Sequence, residues 1–133
     1  MADLGDYYRN FVLDAVFGGS PPTPPANVYC ALFTVTPDHT GGGTEVSGGS
    51  YARAAITNDT AHFPAASGGS QANGEVITFP AATADWGVVV AFAYFDDPTA
   101  GNLIGFGAIG TPADVPSGSV AQFAIGALVV NAA

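Results

Sequence analysis

The sequence predicts an all-β fold: an antiparallel β-sandwich, jelly-roll or immunoglobulin-like, of about 7–8 strands with one N-terminal α-helix. Three observations carry this. From Asn27 onward, apolar residues recur with a period of two. The 133 residues include 18 glycines and 10 prolines, clustered between the apolar runs as turn signals. Helical spacing is confined to the first segment.

In that segment Leu4, Tyr8, Phe11, Val12, Ala15 and Val16 form one stripe at helical spacing. Asp3 is placed to cap the helix, and Asp6 adds negative charge to its first turn. Gly18-Gly19 ends it, and Pro21, Pro22, Pro24 and Pro25 prevent a restart and favour a stiff extended segment. The expected organisation is a helix and Pro-rich arm over residues 1–26, reaching a neighbouring subunit, and a β-sandwich over 27–133.

The expected strands follow in order. Val28–Val35 ends at Pro37, and Tyr51–Thr57 follows a Gly/Ser loop. Val76–Phe79 stops at Pro80. Trp86–Phe95 is apolar on both faces, as in a strand covered on both sides. Leu103–Ile109, Val120–Ile125 and Leu128–Asn131 complete the set.

Composition excludes several functions. Eleven acids face two arginines, Arg9 and Arg53, and there is no lysine, giving a net charge of −9. That balance offers no basic footprint for nucleic acid. A single cysteine, Cys30, can make neither an intrachain disulfide nor a cysteine-based zinc site, and its apolar strand marks it as a buried thiol. No apolar span is long enough for a membrane helix, and the N-terminus lacks the features of a signal peptide, so neither membrane association nor secretion is expected.

Candidate chemistry is sparse. Gly105-Phe106-Gly107-Ala108-Ile109-Gly110 matches a dinucleotide-binding pattern, but Pro112 and Pro116 follow where a helix would have to start. The glycines instead fit a strand that packs close to another backbone. His39 and His62 share no metal-ligand spacing and sit in loop-like sequence. Asp96-Asp97 with Asp114, or Glu45 with Asp59, are the best carboxylate pairs for acid/base chemistry, yet aspartates in such turns usually cap backbone groups. No catalytic, cofactor-binding or metal-binding residue is therefore assigned. Trp86 is expected to anchor the core, and Arg53 to form a structural pair with Glu45 or Asp85.

The order of blocks carries more information than any one motif. Val28-Tyr29-Cys30-Ala31-Leu32-Phe33-Thr34 leads to Gly43-Thr44-Glu45-Val46-Ser47-Gly48-Gly49-Ser50-Tyr51-Ala52-Arg53. Then come Ala82-Thr83-Ala84-Asp85-Trp86-Gly87, Ala93-Tyr94-Phe95-Asp96 and Gly101-Asn102-Leu103-Ile104-Gly105-Phe106-Gly107. Along nearly its whole length the chain resembles a family of small tailed-bacteriophage structural proteins, usually labelled tail-fibre or virion proteins. The resemblance implies a non-enzymatic β domain in the virion and transfers no catalytic residue.

The role expected on these grounds is a capsid decoration (cement) subunit, because a fibre tip usually joins a repetitive stalk. The alternative is a small tail-fibre or tail-tip component that binds host-surface carbohydrate. Expected partners are the major capsid protein or other virion proteins and further copies of the chain, a trimer among the possibilities, with host glycan open and no nucleic acid. The protein would be made in the host cytoplasm and end in the virion. Tyr8, Phe11, Val12, Arg53, Asp85 and Trp86 are the expected structural and interaction residues.

Overall fold

The computed structural model describes residues 3–132. Ten strands and one helix follow in order: β1 (Asp3–Leu4), α1 (Asp6–Val16), β2 (Asn27–Val35), β3 (Thr44–Glu45), β4 (Ala54–Thr57), β5 (Ser70–Ala72), β6 (Ile77–Thr78), β7 (Val88–Phe95), β8 (Leu103–Asp114), β9 (Gln122–Phe123) and β10 (Val129–Asn131). Among the described residues no helix is long and apolar enough to cross a membrane.

The main sheet runs β3-β2-β7-β8-β1-β10-β5. β4 shares with β3 the edge of β2 opposite β7: it pairs with Asn27 to Cys30, while β3 pairs with Phe33 and Val35. Every pairing is antiparallel except β1 with β10, where Asp3 lies opposite Asn131. A second sheet, β6 with β9, lies over one face of the first, so the all-β sandwich with an N-terminal helix is the observed architecture.

Alternation along β2 and β7 sorts side chains onto two faces. Val28, Cys30, Leu32, Phe92 and Tyr94 face the small sheet and form the main core with Ile77, Phe79, Trp86 and Val130. Phe123 of β9 reaches the ring of Phe92 at 6.5 Å and that of Phe79 at 6.1 Å. The opposite face holds Ala31, Phe33, Ala91, Ala93, Leu103 and Phe106. Three alanines there leave room for Phe33 and Phe95 to stack across the sheet at 6.2 Å. Both faces of β7 are thus covered by the chain itself.

Several elements depart from the sequence expectation. The helix starts at Asp6, with Gly5 rather than Asp3 at its N-cap and no side-chain cap. Asp3 and Leu4 instead pair with Phe106 and Gly105 of β8, so the sheet draws a strand from residues ahead of Asn27. Only Tyr8 of α1 is buried, and the stripe fades along the helix until Val16 is 72% exposed. β8 runs beyond Ile109 to Asp114, because a bulge opposite Val89 and Ala91 absorbs Ile109 to Pro112 and pairing then resumes. No helix follows its glycines: a Cβ on Gly105 would lie 3.0 Å from Val130 Cγ1 and 3.1 Å from the Asp3 carbonyl, so glycine there permits the close approach of β1 and β10.

Candidate functional site

The Gly43–Arg53 block folds into a polar latch against the sheet. Arg53 lies just before β4, and its side chain is 6% exposed. Its Nε and Nη2 donate to the two carboxylate oxygens of Glu45, each at 2.9 Å. Its Nη1 donates to the carbonyls of Asp97 and Ala100, each at 2.8 Å. The guanidinium carbon sits 3.8 Å above the centre of the Phe95 ring. One side chain therefore joins β3, the β7–β8 turn and the alanine-rich face. Asp85, the other partner considered for Arg53, is engaged elsewhere, accepting the Ser117 amide at 2.9 Å.

Tyr51 extends the latch inward. Its hydroxyl donates to Glu45 at 2.6 Å and accepts the Leu32 amide at 3.0 Å. Burial, and after it the bond to the Glu45 carboxylate, push this phenol above its ordinary range. The Tyr51 ring meets Trp86 edge to face at 5.3 Å, and the indole N–H donates to the Gly49 carbonyl at 2.9 Å. Two sequence blocks more than thirty residues apart thus form one packed unit, with Trp86 at 5% exposure.

Helix α1 is fixed at its N-terminal end only. The Tyr8 hydroxyl donates to Asp96 at 2.9 Å, and burial followed by that carboxylate raises the phenol's pKa. The Asp6 amide donates to the His39 carbonyl at 2.9 Å. His39 Nδ1 donates to the Leu4 carbonyl at 3.3 Å, while Nε2 accepts from Arg9 at 3.4 Å. The His39 ring edge rests on Phe106 at 5.4 Å. His39 is therefore a tether between helix and sheet rather than a free loop residue. Beyond this anchor, Leu13, Val16 and Phe17 are exposed towards the end of α1, with Phe17 at 69%.

Of the carboxylates weighed for catalysis, Glu45, Asp59, Asp96 and Asp97 are engaged by neighbouring groups, while Asp114 is exposed at the end of β8. Asp96 accepts Tyr8 and both nitrogens of Asn102. Asp97 accepts the amides of Thr99 and Ala100, which hold its carboxyl below the ordinary range. His62 pairs with Asp59 at 2.7 Å on the surface. Cys30 is fully buried, and desolvation pushes its thiol up. Among the described residues, no three His, Cys, Asp or Glu side chains converge as a metal site would require.

A residue that sequence reasoning passed over is Asn73, 3% exposed. Its Nδ2 donates to the carbonyls of Glu75 and Ala124, and its Oδ1 accepts the Leu128 amide at 3.0 Å. It fastens the β9–β10 turn to the end of β5. A lone asparagine in a Gly/Ser-rich loop carries no signal of this role.

A family model described as Podophage GP4 fiber I protein gp80 matches residues 3–131. The chain belongs to this family. The match spans both the latch and the helix, in agreement with the resemblance drawn from the order of sequence blocks. It makes this gp80-family chain a structural protein of a phage particle. No curated protein matches the chain. In this gp80-family fold, Arg53, Trp86 and Tyr8 serve packing and anchoring, and the apolar end of α1 is exposed, as are Val35, Val76, Val88, Val120 and Ile125 elsewhere.

Proposed function

We propose that this chain is a non-enzymatic structural subunit of a phage tail fibre, seated in its assembly through the exposed end of α1. The observation that carries the reading is the gp80 fibre-family match along residues 3–131. The fibre description of that family favours a place at the tail over the capsid-decoration role expected from sequence. Leu13, Val16 and Phe17, exposed at the C-terminal end of α1 and just after it, supply a contact surface of the apolar kind that assembly interfaces bury. Other virion proteins and further copies of the chain are its partners. The low charged fraction, 10%, suits a surface that assembly covers.

The test is to count and locate copies on purified particles by electron microscopy with labelled antibody. A few copies confined to the tail are expected. Hundreds over the head would overturn the fibre placement in favour of decoration. In parallel, Leu13→Glu with Val16→Glu should leave the fold intact and remove the subunit from particles; normal incorporation would rule out α1 as the contact.

A further inference from the structure

Between α1 and the main sheet lies a cavity of about 470 Å³. It is a cleft partly open to solvent, and its volume exceeds the roughly 300 Å³ at which ligand pockets start. Its sheet side is formed by Val28, Tyr94, Ile104 and Val130, and its helix side by Phe11 and Val12. Pro25 and Phe63 help close it, and Asn58 holds the Pro25 carbonyl at 2.9 Å, so this wall is fixed rather than loose.

Two features define what would fit. Tyr94 is 4% exposed, and its hydroxyl has no hydrogen-bond partner among the described residues. A buried, unpaired hydroxyl is costly, and a polar atom brought by a ligand would relieve that cost. The other polar lining residues, among them Ser70, Gln71 and Asn131, are neutral, and among the described residues no charged side chain lines the cavity. A charged ligand would lose its hydration without a counter-charge, and an anion would also meet a chain of net charge −9.

We propose that this cavity binds an uncharged amphiphile: an aliphatic chain bearing one hydroxyl or carbonyl group, which pairs with Tyr94 while the chain lies against Phe11, Val12 and Ile104. Because α1 forms one wall, the bound molecule would also hold the helix to the sheet. This is a small-molecule site, separate from the apolar end of α1 assigned to assembly.

The test uses 1-octanol, octanoate and octylammonium, titrated into the full chain and followed by amide NMR shifts. Octanol is expected to shift Tyr94, Ile104 and Val130 saturably, with both ions at least about tenfold weaker. Val12→Trp, at a position 42% exposed, should fill the helix side and abolish binding. Tyr94→Phe removes only an unpaired hydroxyl, so it should fold normally yet weaken octanol binding by about 2- to 10-fold. The proposal is overturned if octanol gives no saturable shift, if the three probes bind equally, if Val12→Trp binds as the parent does, or if Tyr94→Phe leaves octanol affinity unchanged.

Discussion

Glu45 and Arg53 face each other through two parallel N–H···O bonds of 2.9 Å, and the pair is the hub of a polar network that takes in Tyr51, Leu32, Asp97 and Ala100. Arg53 has its Nε, Nη1 and Nη2 all engaged, and Glu45 accepts from both Arg53 and Tyr51. Removing the guanidinium would strand a carboxylate and two carbonyls beside an apolar face.

Arg53→Ala is expected to cost on the order of 3 kcal/mol, the scale for breaking a largely buried pair. Arg53→Lys should recover little of it, because one ammonium cannot replace the planar two-point contact or the stacking on Phe95. Urea unfolding measures both. A loss under about 0.5 kcal/mol would place the pair among ordinary surface ion pairs.

Gly49 has φ of 55°, and a Cβ there would approach the Trp86 indole nitrogen to 2.9 Å and the Ala84 carbonyl to 3.0 Å. Gly49→Ala should therefore destabilise the fold by about 1–3 kcal/mol and disturb the Trp86 environment. Thermal unfolding and the indole fluorescence maximum are the readouts. An unshifted spectrum with an unchanged melting temperature would contradict the packing described for Tyr51 and Trp86.

Asn73→Leu keeps side-chain bulk but leaves the buried Leu128 amide and two part-buried carbonyls without their partner. The expected loss is roughly 2–4 kcal/mol. Hydrogen exchange should show the β9–β10 turn opening first, with the Leu128 amide losing protection. Retained protection at Leu128 would mean the side chain does not hold the turn.

Tyr8, Tyr51 and Tyr94 have phenols pushed above the ordinary range, burial being the largest cause in each. A group whose folded pKa is raised stabilises the fold below its unfolded pKa, and this stability is lost as pH rises toward the folded value. These three should stay protonated past pH about 10, where an ordinary phenol ionises. Their phenolate absorbance should appear only together with loss of the native circular dichroism signal. Ionisation of all three near pH 10 with the fold intact would refute their burial.

While β4, β6, β9 and β10 lie within longer expected runs, the strands most fully legible in the sequence were those whose side chains alternate without interruption: β2, β7 and the first half of β8. Their identity follows from local pattern, because both faces must be apolar to be covered. β5 (Ser70–Ala72) and β1 (Asp3–Leu4) could not be read this way. Each is a strand because of the neighbour it bonds, β10 or β8, and a long-range hydrogen bond leaves no mark on local composition. The extension of β8 through Pro112 was hidden for a related reason: a bulge lets proline sit where no ladder bond is needed. In the latch, the residue types pointed to an Arg53 pair, but choosing Glu45 over Asp85 required the fold. Helix periodicity marked Leu4 to Val16 as one stripe, yet a tether at Tyr8 and His39 uses only its first half.

The parallel contact between β1 and β10 has a kinetic meaning. Asp3 finds its partner in Asn131, so the β10 side of β1 stays unpaired until β10, more than a hundred residues later in the chain, has been made. β2, β4, β7 and β8 can assemble beforehand, but β5 has its seat on β10 and must wait with it. Closing so long a loop is slow relative to forming hairpins. Until β10 is made, an emerging chain would therefore hold a partly built sheet with one open edge at β1, already paired to β8 on its other side, and that interval is when a nascent subunit is most exposed to pairing with another copy.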